Sequence, residues 1–547
     1  MSKPPHTFLC SALTTALLAL PAARAAHQTT TLDLPHVDGT LPYTVDIQEV
    51  SLAPAALPNI HSVAAGELNG EWVLLAGRTN GLHGLTGLNA FDPLYENREV
   101  WVINPETHES WHKSLETSAA SGLGQDAVDS LSAVNTQFHQ DGDLLVVVGG
   151  YGYKRSAADH KTYTTLTAID LPGLVKWVKE PAGAETTLAS DHMKQVQDAY
   201  FQVTGGGLEK IGSEYQLVFG QNYDGRYRPL FNGVYTKQVR RFEMTVDGSG
   251  NPVVPAASKV ATPQVEAYRR RDLNVVPFVE RTGLNAYAEK IAILSGVFTT
   301  TDGVWTVPVE VASGGAVTMD DPLASTTLKQ AFQIYHSAKV SLFERVNSEC
   351  HFLMFGGITV LERNATTGNF DQDDNAPFTN QCSVVVRNAT GHYEQYWLPT
   401  RFPLITSGGK ELRFGANAEF FPAHGLKKLS HKVLDLTSLT RPTVIGHIFG
   451  GIVSDAGNGG NTGASGRVFE VTLTPLSDQP RLLISNAADE LTWDTGGPGA
   501  RYMIEDSTDL VNWAERATGL TSLNYTLGAP TEPRRFFMLH SSIPAAP

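Results

Sequence analysis

The stretch from Leu131 to Gly152, LSAVNTQFHQDGDLLVVVGGYG, indicates a β-hairpin. Residues 132–139 are predicted to form its first strand. The Asp-Gly pair within residues 140–143 is a turn signal that is typical of tight hairpins. Residues 144–148 are continuously apolar, as expected for a strand that is buried on both faces.

Two glycines and two further strand-like runs extend the hairpin. Gly149-Gly150 permits a backbone turn or a close approach that a Cβ atom would block. Residues 166–170 are predicted as a third strand, and a fourth is expected around Trp177. Because one four-stranded sheet cannot bury both of its faces alone, the chain should contain copies of it.

Five other segments repeat this pattern. Each contains an apolar second strand that ends in glycine. The repeats recur every 64 to 81 residues, which is longer than four short strands need and predicts enlarged loops. The predicted second strands are Glu71–Gly77, Tyr215–Gly220, Lys290–Gly296, Cys350–Gly357 and Thr443–Gly451.

The last copy lacks a fourth strand, because Pro475 follows its third strand. The alternating segment 43–52, YTVDIQEVSL, could supply that strand from the N-terminal side. Joining the two ends in this way would leave no exposed sheet edge between the first and last sheets. We therefore predict an all-β fold, a six-bladed β-propeller over residues 40–475 that is closed by an N-terminal strand.

Two stretches carry a family resemblance. HSVAAGELNGEWVLLAGRTNGLHGL at 61–85 and VVVGGYGYKRSAADHKTYTTLTAID at 146–170 resemble the repeats of secreted bacterial kelch-type propellers, within the galactose oxidase/kelch-like superfamily. The resemblance implies the propeller fold. It implies no activity, because these secreted propellers share no agreed reaction.

The pattern changes after a short linker that follows Pro475. Residues 482–541 resemble a small, fibronectin-like β-sandwich of the kind appended to secreted proteins, where such modules look like spacers or attachment units. We expect the tail from Ser541 to Pro547 to be disordered.

Charge and the N-terminal segment bear on location and partners. The formal charge of −15 and the lack of a basic stripe argue against a nucleic-acid partner. Residues 1–25 have the features of a secretory signal peptide, with Lys3, an apolar run and an Ala23-Arg24-Ala25 cleavage site. We predict no membrane span and a secreted, periplasmic or cell-surface protein; the sequence gives no indication of oligomeric state.

The first strand of every copy begins with a polar residue, and pseudo-symmetry places these six residues around the central channel. They could hold trapped water, bind a ligand or, through two imidazoles and one carboxylate, bind a metal. We assign no metal ligand. The candidates are His61, Asn135, Gln202, Asp272, His336 and Asn417. A shift of the alignment by one residue would bring in Arg271 or Tyr335.

Long loops between second and third strands define a second candidate surface, which we call the loop face. Its aromatic and cationic side chains could stack on sugar rings or peptide, or could simply pack within the loops. The candidates are Tyr151, Tyr153, Tyr223, Arg226, Tyr227 and Arg228.

Two smaller features remain open. Asp371, Asp373 and Asp374 could bind calcium, although the run lacks the glycine and distal glutamate of a standard calcium loop. No other cofactor is indicated. Cys350 and Cys382 could form a disulfide in an oxidising compartment, but both are predicted to begin neighbouring antiparallel strands and so to lie at opposite ends of that pair.

These observations favour a non-catalytic propeller that recognises a glycan or a protein through its loop face. The alternative is a carbohydrate-active enzyme that uses channel residues such as His61, Asp272 and His336, with or without a metal. No catalytic residue is assigned from sequence, because no known catalytic motif is present.

Overall fold

The computed structural model describes residues 32–37, 39–83, 90–228, 233–301, 303–430, 432–476, 480, 482–484, 490–527, 532 and 534–546. The predicted signal peptide lies outside the described residues. Within them the protein is all-β and consists mainly of small antiparallel sheets, as predicted. No described helix is long and apolar enough to cross a membrane.

Six sheets follow one another along the chain, each with a core of four antiparallel strands. The strand named first is the end strand of each four-stranded core, and that of the fifth sheet also pairs in parallel with Val433–Asp435. In pairing order the strands are Ala64–Leu68, Glu71–Leu75, Glu99–Asn104 and Glu109–Ser114 in the first sheet; Gln137–Asp141, Leu144–Val148, Thr165–Asp170 and Met193–Gln197 in the second; Gly207–Ile211, Glu214–Val218, Val239–Glu243 and Val260–Ala261 in the third; Asn274–Gly283, Ala286–Leu294, Val309–Ala312 and Ala316–Met319 in the fourth; Ala338–Glu344, Glu349–Ile358, Phe378–Arg387 and Tyr393–Arg401 in the fifth; and Arg413–Pro422, Thr443–Ser454, Val468–Pro475 and Tyr43–Val50 in the sixth.

Short helices, 3₁₀ turns and minor strands lie in the connections between these strands. The α-helices are Gln125–Leu131, Leu171–Lys179 and Ala189–His192, and the 3₁₀ turns are Pro93–Tyr95, Arg155–Ala157, Ala199–Phe201, Ala256–Ser258, Glu266–Tyr268, Ser313–Gly315 and Leu436–Ser438. The minor strands are Tyr151–Lys154, Asp159–Thr162, Gln221–Asn222, Val234–Tyr235, Thr245–Val246, Pro252–Val253, Leu361–Arg363, Phe370–Gln372, Thr406–Ser407, Lys410–Glu411, Lys428–Ser430, Val433–Asp435 and Thr462–Ala464.

The predicted hairpin is present with one change. Leu144–Val148 pairs antiparallel with Gln137–Asp141 across a two-residue turn in which Gly142 has a φ of 59°. The first strand begins later than residue 132 because Gln125–Leu131 is helical and Val134 pairs instead with Tyr151 in the loop beyond the double glycine.

The fourth strand predicted around Trp177 is wrong. Leu171–Lys179 is an α-helix with proline in its first turn, and Trp177 is fully buried in the core between the first and second sheets. The helix packs there through residues at helical spacing, namely Leu171, Leu174, Val175, Trp177 and Val178. The fourth strand of this sheet is Met193–Gln197, which pairs with Thr165–Asp170.

The predicted pairing between the two ends of the chain is confirmed. Tyr43–Val50 lies antiparallel to Val468–Pro475 over its whole length, with Tyr43 opposite Pro475 and Val50 opposite Val468. Tyr43, Val45 and Ile47 point inward in strict alternation and join the core of the fifth and sixth sheets. The N-terminal strand is therefore a fully paired and half-buried part of the sixth sheet.

Backbone hydrogen bonds join the six first strands to one another. Five N–H groups each donate to the corresponding carbonyl of the neighbouring sheet, at 2.8–3.2 Å. They connect Asn135, Gly205, Asp272, His336, Asn417 and Ser62, in that order, and we call these six residues the ring. All except His336 have a left-handed backbone, with φ between 49° and 66°.

A second set of contacts explains the glycines that follow the second strands. Each glycine donates its N–H to a carbonyl two residues before the ring residue of the next sheet, at 2.8–3.2 Å. The pairs are Gly77 to Ala133, Gly150 to Val203, Gly220 to Arg270, Gly296 to Ile334 and Gly451 to Ile60. The close approach predicted at Gly149-Gly150 is thus a contact between sheets.

The C-terminal region forms two three-stranded sheets that share one core containing Trp493 and Tyr502. The strands are Leu482–Ile484, Glu490–Trp493 and Asn524–Thr526 in one sheet, and Ala514–Leu520, Arg501–Ser507 and Phe536–Ser542 in the other. The expected disorder from Ser541 onward is wrong for its described part, because Ser541 and Ser542 belong to a strand and Ala546 pairs with Thr40.

The two cysteines are free and buried. Cys350 lies opposite Arg387 across the strand pair, whereas Cys382 lies opposite Phe355, so the thiols are at opposite ends of the pair as the strand prediction required. Burial raises the pKa of both thiols, which keeps them protonated and unreactive.

Candidate functional site

Four of the six predicted channel residues come together in the ring: Asn135, Asp272, His336 and Asn417. The other two do not. Ser62 takes the place expected for His61, and Gly205 takes the place expected for Gln202, whose amide instead donates to the carbonyl of Thr162 at 3.1 Å. Five of the six ring positions have a left-handed backbone, which polarity alone does not identify, so an alignment based on polar residues was wrong at these two points.

A cavity of about 170 Å³ is bordered at one end by the ring. Its described lining consists of the ring, of residues farther along the first strands, down to Pro277, Ser341 and Pro422, and of Lys432. The long loops leave from the opposite side of the ring, since each second strand runs antiparallel to its first strand and ends there. The cavity therefore faces away from the loop face.

His336 is the imidazole that faces this cavity. Its Nε2 lies 2.9 Å from Nζ of Lys339 and 3.8 Å from Oε1 of Glu419. Burial, reinforced by the charge of Lys339, holds the pKa of His336 well below its usual value. The imidazole is therefore neutral near pH 7, and its Nε2 accepts a hydrogen bond from the ammonium group.

Glu419 is the second titrating group of the cavity, with a side chain that is 15% exposed. Burial raises the pKa of its carboxyl to about 7, and the nearby charges of Lys339 and Lys432 only partly offset this effect. A carboxyl that titrates near 7 beside a neutral imidazole is suited to accept or donate a proton.

Two further carboxylates border the cavity, and each has a partner. Glu209 Oε2 lies 2.7 Å from Nδ1 of the buried His139. Burial raises the pKa of Asp272, against the opposing charge of Arg271, whose Nε lies 3.6 Å away. Asn135 also donates to Asp272, at 3.4 Å.

The metal alternative has no matching geometry in the described part of the chain. No group of three His, Cys, Asp or Glu side chains is placed to hold an ion there. His61 precedes the ring on the loop side, where it contacts the Oγ of Ser62 at 2.9 Å, and it does not join Asp272 and His336 in the cavity lining.

The loop-face residues divide into two groups. Tyr151 and Tyr223 are buried and pack edge to face, with ring centroids 5.8 Å apart, and Tyr151 donates to the carbonyl of Gly225 at 2.8 Å. These two rings pack within the loops, the second of the two roles left open for them. Tyr153, Arg226 and Tyr227 are half-buried and Arg228 is exposed; their role in binding stays a prediction.

The acidic loop proposed for calcium is bound to amide groups. Asp371 accepts from Asn364 at 2.8 Å, Asp373 from Asn458 at 2.6 Å, and Asp374 from Gln372 at 2.8 Å. Calcium binding at this loop stays a prediction.

Sequence reasoning missed four charged residues of the cavity. Glu419 and Glu209 lie two and four residues beyond their ring residues, so the two-residue period of a strand would have placed them on the channel side. Lys339 comes from the strand that follows His336. Lys432 carries no such signal, because it comes from the connection between the first two strands of the sixth sheet.

Comparisons with known proteins identify no family. The sequence matches no protein-family model and no curated protein. Among solved structures, the chain is similar to the structure of YjhT, with a TM-score of 0.40 and 10% sequence identity, over 78% of this chain and 100% of that one. We draw nothing further from this similarity.

Replacing Glu419 by glutamine is expected to stabilise the protein at pH 8 and to change little at pH 5. Between the ordinary carboxyl pKa of 4.5 and the folded value of about 7, the folded protein holds a proton that the unfolded chain has released. Stability therefore falls as pH rises through this range, and the variant should regain about 1–3 kcal/mol at pH 8. Urea unfolding at both pH values measures this.

The control for that measurement is Glu109→Gln, on an exposed outer strand of the first sheet. It should change the free energy of unfolding by less than about 0.5 kcal/mol at either pH. A Glu419→Gln variant whose stability relative to wild type is the same at pH 5 and pH 8 would contradict the assigned titration.

Proposed function

We propose that residues 40–475 form a six-bladed β-propeller of the kelch type and that this secreted or surface-displayed protein binds a small polar ligand, such as a sugar unit of a glycan, in its axial cavity. The ring of inter-strand hydrogen bonds supports the propeller arrangement. The fibronectin-like C-terminal region would space or attach it.

The observation that carries the binding proposal is the cavity itself. Its volume of about 170 Å³ suits a ligand of a few to about a dozen heavy atoms, and amide, imidazole, ammonium and carboxyl groups line it together with apolar side chains. The buried aromatic rings of the loop face offer less to a ligand. We therefore place ligand recognition in the cavity rather than on the loop face.

A second candidate function, acid–base catalysis on the bound ligand, is favoured by the pair formed by His336 and Glu419. Their pKa values are displaced in ways that leave one group neutral and the other close to half-ionised near pH 7. General acid–base catalysis contributes roughly 10²–10⁴-fold to a rate. If turnover of a bound sugar is found, Glu419→Gln should lower kcat by that factor.

Glycan-array and monosaccharide binding by the protein without residues 1–25 tests the proposal. For any ligand found, Asn417→Ala and His336→Gln should weaken binding at least about tenfold, since each removes a hydrogen-bonding group from the cavity wall. Gln202→Ala is the matched control, because Gln202 lies outside the cavity lining, and it should bind as the wild type does.

Arg228→Ala separates the cavity from the loop face. Arg228 is exposed in the loop between the second and third strands of the third sheet. If this substitution abolishes binding while the two cavity variants bind normally, recognition belongs to the loop face and the cavity proposal is wrong.

A further inference from the structure

We propose that the axial cavity captures its ligand by a compact anionic group, a carboxylate or a phosphate, placed between Lys339 and Lys432. This inference rests on the proposed ligand-binding function and specifies the chemistry that the same cavity selects. The ammonium groups of both lysines and the carboxylates of the cavity line the same small space.

Lys432 is held at the cavity by a fixed excursion of the chain. The excursion runs between the first two strands of the sixth sheet and contains the strands Lys428–Ser430 and Val433–Asp435. Val433–Asp435 adds in parallel to Ala338–Glu344 of the fifth sheet. The aliphatic side chain of Val433 is buried beneath it in a core cluster. Lys432 thus lies in the turn between two paired strands.

Lys432 crosses to the opposite side of the axis. Its Nζ lies 5.8 Å from the centre of the Phe138 ring, which belongs to the second sheet. Lys339 comes from the fifth sheet, and its Nζ contacts His336. Burial lowers the pKa of Lys339, and the nearby charge of Lys432 lowers it further, against the opposing charges of Glu419 and Glu209. Two like charges at one small cavity favour an anion between them.

The carboxylates of the cavity offset the charge of the two lysines only in part. Glu209 is engaged with His139, and Asp272 lies beside Arg271. Within the described part of the chain, the Glu419 carboxyl makes no hydrogen bond and no ion pair with either lysine. Because burial raises the pKa of the Glu419 carboxyl to about 7, this group is largely protonated at pH 6 and then leaves positive charge on the two lysines for the ligand anion.

Glu419 makes capture of the anion depend on pH. The groups that face it are His336 and Lys339 on the fifth sheet, Lys432 on the excursion, and Glu209 and Asp272 across the cavity. When protonated, Glu419 can donate a hydrogen bond to an anion, and when ionised it repels the anion. Since the pKa of this carboxyl is about 7, binding should weaken as pH rises through neutrality and should take up a proton.

The ligand enters past Lys432. The ring narrows the end of the cavity toward the long loops with six hydrogen-bonded backbones. The Lys432 side chain lies at the opposite end and is half-buried, so solvent reaches it.

The test uses acetate and inorganic phosphate as anionic probes and acetamide as the neutral match for acetate, at constant ionic strength with chloride. In wild type, 50 mM of an accepted anion at pH 6 should raise the thermal midpoint by about 1–2 °C. The same anion should raise it by less than half as much at pH 8.5. Acetamide should not raise it. A response to only one of the two anions assigns the group as carboxylate or phosphate.

Variants locate the effect. Lys432→Met should lose the anion response, whereas Lys428→Met, on an exposed residue of the same excursion, should keep it. Glu419→Gln should respond equally at pH 6 and pH 8.5. Equal responses to acetate and acetamide, an unchanged response in Lys432→Met, or no response to either anion would each overturn the anion inference. A neutral sugar that binds the wild type and loses affinity in Asn417→Ala would still support the cavity proposal.

Discussion

Replacing Gly149 by alanine is expected to lower the free energy of unfolding by about 2–5 kcal/mol, of which the left-handed backbone contributes about 1–2 kcal/mol and forced displacement of the neighbouring sheet about 1–3 kcal/mol. Gly149 has a φ of 63°. A Cβ atom there would lie closer than 3 Å to the backbone carbonyl oxygen of Val203 in the third sheet. Backbone cannot rotate away as a side chain can, so the two sheets must separate.

Gly142→Ala provides the control. Gly142 has nearly the same backbone, with a φ of 59°, but a Cβ atom there would meet nothing within 4 Å. The free energy of unfolding of Gly142→Ala should therefore fall only by the backbone contribution of about 1–2 kcal/mol. Urea unfolding of both variants measures the difference, and equal losses at the two glycines would show that contact between the sheets does not depend on this glycine.

The contrast between these glycines shows what local sequence could predict. Both lie in the stretch that predicts the hairpin. Residue type alone predicted the turn at Gly142 and the close approach at Gly149-Gly150. Residue type did not predict that the partner in this close approach is Val203. It lies in the next sheet along the chain, and its identity depends on how the sheets stack around the axis.

The ring shows why the site could be predicted only in part. Asn and Asp adopt the left-handed backbone more readily than other non-glycine residues, so polarity and backbone requirement coincide at Asn135, Asp272 and Asn417. The two properties do not coincide at Ser62 and Gly205. These residues have the left-handed backbone, but one has only a small hydroxyl side chain and the other has none. The alignment therefore chose His61 and Gln202, which are polar but lie outside the ring.

Trp177 illustrates a second limit. An aromatic residue after a third strand fitted the expected fourth strand, whereas the apolar spacing from Leu171 to Val178 is helical. The repeat pattern was given more weight than the local period, and the period was right. Lys432 marks a third limit, since a long connection returns to the axis only because it pairs with another sheet.

Replacing Arg345 by methionine is expected to destabilise the protein by about 3–5 kcal/mol, because it leaves buried carboxylates without their cation. The Arg345 side chain is 4% exposed, and its Nη1 lies 2.7 Å from Glu505 and 3.3 Å from Glu515 of the C-terminal region. Its Nε lies 3.1 Å from Asp435, in the strand that pairs with the fifth sheet. Arg345 thus joins the C-terminal region to the six-sheet body.

Hydrogen exchange should place the loss at this junction. In Arg345→Met, amides of the strands Arg501–Ser507 and Ala514–Leu520 should exchange at least about 100-fold faster, while those of Leu144–Val148 should change less. Arg345→Lys should lose less stability, because an ammonium group keeps the charge but not the fork that reaches several carboxylates. Arg516→Met is the control: its exposed ion pair with Asp506 should contribute under about 1 kcal/mol.

The effect of Arg345 should also depend on pH. Burial raises the pKa of Glu505, but hydrogen bonds from His540 and Arg345 outweigh it and hold this pKa well below the ordinary value. A carboxyl with a lowered pKa stabilises the fold above the pKa of the unfolded chain, and this contribution is lost as pH falls. The difference between wild type and Arg345→Met should therefore shrink below about pH 4. A difference under about 1 kcal/mol at pH 7, or one that grows in acid, would mean that the C-terminal region is held mainly by other contacts.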